Sequence, residues 1–237
     1  MRHLGALRRA ILSLHSYYRE YSANPSMPLH TPTHPYPAVF TSQDGLVNHF
    51  TYLFQIKGQG RILFFGRMDN IEICIKFTTH YCKEAHEFLA AQGFALKLHA
   101  VERLPGGLYM IIMDDVSKQY INLFDLIRDR PELLLKEYLD TRNTLLKNVR
   151  QCLQQFHQTG FVHGDFHDTN VMVKTPEGDD AIDFSSFLVI YFDSSNKEVR
   201  YPLDLNTTDV WWPEGATGSA VIEVDHDLDM LDHIWDP

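Results

Sequence analysis

Three runs of aromatic and β-branched residues lie between Thr51 and Phe77, and they constrain the fold more than any other feature of the sequence. The runs are separated by KGQG (57–60) and MDN (68–70), which are both good turn sequences. Strands joined by such short turns pair as antiparallel neighbours. The region therefore predicts a three-stranded antiparallel meander of TYLFQI, RILFFGR and IEICIKF.

A helix and two more strands follow the meander. Residues 81–94 have helical periodicity, and Gly93 is placed to end the helix. Two strands are predicted around 96–101 and 108–113, on either side of the tight turn LPGG. The order β-β-β-α-β-β predicts one small lobe.

The second half of the chain is mainly helical. A short helix is predicted over 121–129, and a long amphipathic helix over 141–160. The apolar stripe of the long helix follows the spacing i, i+4, i+7 and consists of Leu145, Val149, Cys152, Leu153 and Phe156. Two short strands at 170–173 and 181–184 are predicted to form a hairpin, and one more helix lies at 225–235. An antiparallel sheet followed by helices indicates an α+β protein.

The charge is concentrated at one end of the chain. The net charge is −10, and the chain from Glu177 onward contains fifteen acidic residues but only two basic ones. Such a surface repels phosphate backbones, so we expect no nucleic-acid partner.

The cysteines and the apolar runs limit the environment of the protein. The three cysteines include no C-x-x-C pair, which argues against a disulfide framework or a thiolate zinc site. No apolar run approaches the ~20 residues that cross a bilayer. We expect an intracellular monomer, cytoplasmic or nuclear, without a membrane partner.

Residues 1–45 are predicted to form an N-terminal helix and a Pro-rich linker. The first segment is rich in arginine and has no acidic residue before Glu20, a composition that mitochondrial presequences share. Its apolar residues recur at helical spacing, and this favours an amphipathic helix that docks on the domain.

The loop VHGDFHDTN (162–170) directly follows the long predicted helix and is dense in polar chemistry. Asp165 and Asn170 are five residues apart, and Asp183 lies thirteen residues beyond Asn170. Phosphoryl transfer from ATP requires Mg²⁺ ligands, a carboxylate for the attacking hydroxyl and a cation for the other phosphates. Asp and Asn supply the oxygen ligands that Mg²⁺ prefers. The spacing therefore indicates a phosphotransferase.

Lys76 lies near the end of the third predicted strand. A lysine pointing inward there is a costly buried charge unless a carboxylate and a phosphate meet it. Glu84, on the following helix, is the expected carboxylate, and Glu87 is the alternative three residues further along the same helix.

Residues 46–235 resemble the protein-kinase-like superfamily. The sequence is most similar to fungal protein-kinase-like proteins, whose catalytic loop is close to that of aminoglycoside phosphotransferases. The resemblance implies a bilobal fold, with a small antiparallel-sheet N-lobe over 46–116 and a reduced, mainly helical C-lobe over 117–237.

The same resemblance implies roles for individual residues. Asp165 would be the catalytic base, and Asp227 or Asp225 would brace the catalytic loop. Lys76, paired with Glu84, would contact the α- and β-phosphates. The remaining implied residues are the metal ligands Asn170 and Asp183, the adenine-binding hinge residues Asp114 and Val116, and Gly58 and Gly60 of the phosphate-covering loop.

Two departures from protein kinases affect the expected acceptor. His167 replaces the lysine that usually reaches the transferring phosphate, and Ser185 replaces the glycine of D-F-G. We expect a phosphotransferase that uses ATP and Mg²⁺ and acts on a hydroxyl, first of all a protein Ser/Thr. A small-molecule kinase and a weakly catalytic ATP-binding scaffold are the alternatives.

A metal hydrolase is a third alternative. It would use His163, His167 and the His226–Asp227 pair, because imidazole and carboxylate together suit Zn²⁺, Fe or Mn²⁺. It leaves Lys76 and Asn170 without a role, so we rank it behind the phosphotransferase.

Overall fold

The computed structural model describes residues 8, 11–12, 37–42, 45–56, 62–175, 184–197, 199–203, 205–206 and 210–235. The chain divides into two units, residues 1–39 and 40–237. In the first unit Arg8, Ile11 and Leu12 have helical conformation, and the rest of the predicted N-terminal helix lies outside the described residues. The predicted boundaries at 45 and 116 stay predictions.

A five-stranded antiparallel sheet contains the predicted meander and the two strands that follow it. Its strands are β3 (Thr51–Ile56), β4 (Ile62–Met68), β5 (Ile71–Thr78), β6 (Leu98–Arg103) and β7 (Tyr109–Asp114). Their order in the sheet is β3-β4-β5-β7-β6, so β5 lies at the centre. Two short strands, β1 (Val39–Thr41) and β2 (Val47–His49), pair with each other. The predicted β-β-β-α-β-β order is confirmed.

Helix α1 spans Lys83–Ala91 and connects β5 to β6. Its inner face consists of Ala85, His86 and Leu89, which are all buried. Phe88 contacts Phe156 of the long helix with a ring distance of 6.1 Å. The contact joins the β-rich half to the helical half.

The helical half is built on helix α3 (Leu139–Gln158). Its buried stripe follows the predicted i, i+4, i+7 spacing and consists of Leu145, Val149, Cys152, Leu153 and Phe156. Helices α2 (Leu123–Asp129) and α4 (Val224–Asp232) complete this half. No helix among the described residues is long and apolar enough to span a membrane.

A small second sheet includes the strand that directly follows the loop 162–170, which is called the catalytic loop below. Its order is β10-β9-β8, with β8 at Tyr120–Asn122, β9 at Val171–Lys174 and β10 at Phe187–Val189. The strand that pairs with β9 is β10, from Val189↔Val171 to Phe187↔Val173, and not the predicted 181–184, of which 181–183 lie outside the described residues. All three residues of the apolar run FLV are buried, although β10 is an edge strand of this sheet.

Candidate active site

A cleft of about 1330 Å³ lies beside the five-stranded sheet. Lys76, Met113 and Val116 line it from the sheet and the segment that follows β7, while His167 and Met172 line it from the catalytic loop and β9. The cleft therefore brings the predicted phosphate-binding lysine, the hinge and the catalytic loop to one space.

Asp165 and Asn170 contact each other within the loop. The Asn170 amide Nδ2 donates to the Asp165 side-chain Oδ2 at 3.0 Å and to the Asp165 backbone oxygen at 2.5 Å. His167 Nε2 donates to the other carboxylate oxygen, Oδ1, at 3.1 Å. Both oxygens of the proposed base are therefore oriented by neighbours in the same loop.

His167 is a cation between two carboxylates. Burial lowers its pKa, but the hydrogen bonds and charges of Asp165 and Asp168 outweigh burial and raise the pKa to about 9. For Asp165 burial acts in the opposite direction and raises the pKa. The hydrogen bond and the charge of His167 outweigh this effect of burial, so the pKa of Asp165 lies below its ordinary value. Asp165 is therefore an ionised carboxylate at neutral pH.

A buried carboxylate of α4 accepts hydrogen bonds from the backbone of the catalytic loop. Asp227 of α4 is 0 % exposed, and it accepts the backbone N–H of His163 at 2.7 Å and of Gly164 at 2.8 Å. His157 of α3 donates its Nε2 to the same carboxylate at 2.9 Å. Asp225 is exposed, so Asp227 is the bracing residue.

His163 has a structural role. Its Nε2 donates to the backbone oxygen of Ile190 at 3.0 Å, and its ring packs edge-on against Phe192 at 5.8 Å. The loop is therefore tied to the segment that follows β10.

Position 164 requires glycine for two reasons. Its φ is +78°, a left-handed conformation that costs other residues about 1–2 kcal/mol. A Cβ would also lie 2.8 Å from the Ile222 side chain and 3.1 Å from the Ser194 oxygen. The loop can pass this close to its neighbours only because the side chain is absent.

We expect Gly164→Ala to lower the free energy of unfolding by about 2–4 kcal/mol, because strain and overpacking add. Urea denaturation measures the change. Gly45→Ala is the matched control, since Gly45 has a φ of +80° and a Cβ added there would have no atom within 4 Å. Equal losses in the two variants would mean that the close approach at Gly164 carries no cost.

Lys76 is buried and pairs with a carboxylate that the sequence did not single out. Its Nζ lies 2.6 Å from Oδ1 of Asp193, and its side chain is 5 % exposed. Glu84 is an exposed residue in the first turn of α1, so the predicted Lys76–Glu84 pair is wrong. The inner face of α1 has the spacing 85, 86, 89, which turns position 84 outward. Glu87 pairs with Lys83 at 3.5 Å.

The segment from Ile190 to Asp193 faces the cleft through Tyr191. The Lys76 Nζ lies 4.3 Å from the centre of the Tyr191 ring, a cation–π contact. The run FLVIYFD begins with β10, the strand that pairs with β9, and it ends at the carboxylate of Asp193. This order of a buried strand and then an acid is the sequence signal that could have identified Asp193.

Several predicted residues lie outside the described part of the chain. They are Asp183, Gly58 and Gly60. At the hinge, the Val116 N–H has no acceptor among the described residues. Met113, before the hinge, is buried and lines the cleft. Their roles in nucleotide binding stay predictions.

Three oxygen donors contact side chains that line the cleft: the Asp165 carboxylate beside His167, the Asn170 amide oxygen beside Thr169, and the Asp193 carboxylate beside Lys76. Within the described ranges no group of three or more His, Cys, Asp or Glu residues could hold a metal ion by itself. This donor set suits a cation that also uses phosphate oxygens and water, as Mg²⁺ does in nucleotide sites.

The three histidines of the metal-hydrolase alternative each contact a different partner. His226 contacts the Tyr201 hydroxyl at 3.0 Å, His163 donates to Ile190, and His167 donates to Asp165. The described structure therefore gives this alternative no metal centre.

Comparison with known proteins agrees with this geometry. The phosphotransferase enzyme family APH matches residues 73–189, a region that includes Lys76 and the whole catalytic loop. No curated protein matches the sequence.

Solved structures share the fold. The kinase PK-1 of Cydia pomonella granulovirus superposes with a TM-score of 0.60 at 15% identity, over 78% of this chain and 68% of that one. The BubR1 kinase domain superposes with a TM-score of 0.57 at 12% identity, over 96% of this chain and 73% of that one. Residues 73–189 are therefore similar to the APH phosphotransferase family, and the chain shares the fold of these two kinases.

Proposed function

We propose that the protein transfers the γ-phosphoryl group of Mg·ATP to a hydroxyl acceptor, with Asp165 as the base. The observation that carries the proposal is the Asp165–Asn170 arrangement, in which both carboxylate oxygens are oriented within the loop. The loop itself is braced by the buried Asp227 carboxylate. Such preorganisation suits phosphoryl transfer, where positioning and electrostatics supply most of the rate enhancement.

The nucleotide would occupy the cleft beside the sheet. Adenine would bind the backbone groups of Asp114 and Val116, next to the buried Met113 side chain. Lys76 would contact the non-transferred phosphates, and Asn170 with Asp183 would hold Mg²⁺. When bound, the cation neutralises negative charge on the phosphates.

Asp165 would act on the acceptor. The hydroxyl oxygen forms a bond to the γ-phosphorus as the bond from that phosphorus to the β–γ bridging oxygen breaks, and ADP leaves. The hydroxyl proton passes to the Asp165 carboxylate. Because the pKa of Asp165 is low, its main contribution is orientation of the hydroxyl rather than early deprotonation.

We propose a protein Ser/Thr hydroxyl as the acceptor, and a small-molecule hydroxyl is the alternative. One observation favours the small molecule: the cleft continues past His167 along Phe124, Arg128 and Trp211, which would enclose a compact acceptor. Transfer assays with generic protein substrates and with polyol and amino-alcohol substrates would separate the two.

A melting experiment tests the nucleotide site. At 100 times its Kd, Mg·ATP should add about 2.7 kcal/mol, hence roughly 5–10 °C in Tm for a domain of this size. Lys76→Met should remove most of the shift, because the phosphates lose their cation. Lys83→Met is the matched control, since Lys83 forms a surface pair with Glu87. An unchanged wild-type Tm at millimolar Mg·ATP would refute both the enzyme and the nucleotide-binding scaffold.

A further inference from the structure

We infer that the part of the cleft lined by α2, Trp211 and the C-terminal end of α4 is a compartment for the acceptor, and that it binds a neutral alcohol with a flat apolar ring. The inference rests on the proposed phosphoryl transfer and deepens its small-molecule alternative. We call this part of the cleft the acceptor compartment. Its apolar walls consist of Phe124, Ile127, Trp211, Met230, Ile234 and Trp235.

The cleft has room for a second ligand beside the nucleotide. Its volume of about 1330 Å³ exceeds the roughly 300–1000 Å³ of most small-molecule sites. The proposed nucleotide site uses the walls at Lys76 and Met113. His167 also lines the cleft, and its Nε2 donates to Asp165 Oδ1 at 3.1 Å. The same cleft therefore reaches the loop that carries the proposed base.

The start of α2 is tied directly to the catalytic loop. The Asn122 Nδ2 donates to the Thr169 backbone oxygen at 2.5 Å, and the Asn122 Oδ1 accepts the Phe124 N–H at 3.0 Å. The Phe124 side chain lines the cleft and is 45 % exposed. An exposed aromatic ring is therefore held beside the loop that carries Asp165.

Trp211 presents a second aromatic surface, which is already fixed in place. Its ring is parallel to that of His233 to within 14°, with the ring centres 3.5 Å apart, and His233 Nδ1 donates to the Asp229 backbone oxygen at 2.8 Å. Trp211 is nevertheless 45 % exposed, and because His233 covers one face of the ring, the exposed area lies on the other face and the edges. A flat ring that stacks there orders few side chains, which keeps the cost of binding low.

The neighbouring Trp212 anchors the segment that carries Trp211. Its Nε1 donates to the Asn206 backbone oxygen at 2.9 Å, and its ring packs edge-on against the buried Tyr201 ring at 5.3 Å. Trp211 is therefore attached to a segment that is packed against the body of the domain.

The charged side chains of the acceptor compartment are engaged with one another. Asp125 Oδ1 lies 2.6 Å from Arg128 Nη1, and Asp168 Oδ1 lies 3.6 Å from His167 Nδ1. Among the described residues that line the acceptor compartment, each carboxylate thus has a cationic partner. An ammonium group that leaves water here would have to compete for those carboxylates, whereas a neutral ring only exchanges water for apolar side chains.

An NMR titration of the full chain with 2-phenylethanol, observed on the ligand, tests the inference. We expect binding both without nucleotide and with saturating Mg·ADP. The Kd should change by less than about threefold between the two conditions, because the ligands use different parts of the cleft. Displacement of the alcohol by Mg·ADP would place it in the nucleotide site and would overturn the inference.

Trp211→Ala should weaken the binding of 2-phenylethanol about tenfold, because the stacking surface is lost. Trp211→Phe keeps a flat ring and should stay within about threefold of the wild type. Leu203→Ala is the control, since Leu203 is 84 % exposed and does not line the cleft. Equal affinities of Trp211→Ala and Leu203→Ala would contradict the inference.

Phe124→Ala decides the question if Trp211→Ala fails to fold. It removes the other exposed ring and should weaken the binding of 2-phenylethanol about three- to tenfold. Mg·ADP affinity, measured by calorimetry, should stay within about twofold of the wild type in every folded variant. Wild-type affinity for the alcohol in Phe124→Ala would then refute the compartment.

A pair of alcohols of equal shape tests the preference for a neutral ligand. Choline and 3,3-dimethylbutanol differ only in a charged nitrogen that replaces a carbon. We expect choline to bind at least about fivefold more weakly, because its charge loses water without gaining a carboxylate of its own. Tighter binding of choline would show that Trp211 serves a cation, and the inference would fail.

The outcomes separate this inference from the proposed function. If the alcohol binds and Mg·ADP does not, the ligand site stands, but its role as an acceptor site falls with the proposed transfer. If Mg·ADP binds and the alcohol does not, the nucleotide site stands and the inference is refuted. Transfer to a neutral serine peptide that falls about tenfold in Trp211→Ala, without transfer to the alcohol, would assign the compartment to a protein acceptor and would also overturn the inference.

Discussion

Asp165→Asn is expected to reduce phosphate transfer by about 100- to 10,000-fold, the range that a positioned acid or base usually contributes. The substitution keeps the size of the side chain and removes its ability to accept a proton. It also places an amide beside the Asn170 amide, which now donates to Oδ2 at 3.0 Å. Transfer of labelled γ-phosphate measures the rate.

The nucleotide-induced rise in Tm should persist in Asp165→Asn, because Lys76 and the hinge are unchanged. Asp168→Asn is the control, since Asp168 also lies near the His167 ring, at 3.6 Å, but does not contact Asn170. It should retain transfer within about tenfold. Wild-type transfer by Asp165→Asn would exclude Asp165 as the base. Nucleotide binding without any transfer by the wild type would favour the scaffold.

Asp227→Ala is expected to lower the free energy of unfolding by about 3–5 kcal/mol. The variant leaves the buried N–H groups of His163 and Gly164 without their acceptor, and it removes the partner of His157. Unsatisfied buried donors carry their full desolvation penalty. Urea denaturation should show the loss, and Tm should fall by roughly 6–20 °C for a domain of this size.

Asp225→Ala is the matched control for this prediction. Asp225 belongs to the same helix turn but is exposed, so only its favourable interaction with the helix N-terminus is lost. That interaction is typically about 0.3–1 kcal/mol. Equal destabilisation by the two variants would show that the brace contributes nothing beyond the helix itself.

Most of the local structure could be predicted because its causes are local. Alternation, turn sequences and helical spacing lie within short windows, and they predicted the five strands of the main sheet and the stripe of α3. The Asp165–Asn170 contact belongs to the same class, because five residues of one loop separate its partners. The choice between Asp225 and Asp227 required the packing of α4.

The errors share a different cause. The strand that pairs with β9 is the buried segment Phe187–Val189, which lies later in the chain than the predicted 181–184. Periodicity cannot distinguish two short apolar runs that lie a few residues apart.

The sequence alone determined the class of fold and the order of its elements, and it placed Asp165 and Asn170 in one loop, since these features depend on near neighbours in the chain. Only the tertiary structure decided the partner of Lys76. The two residues of that pair are 117 positions apart, and their meeting depends on the start of α1, the register of β10 and the turn at Tyr191. A buried ammonium group pairs with the carboxylate that the tertiary packing places next to it. No local sequence pattern shows which carboxylate that will be.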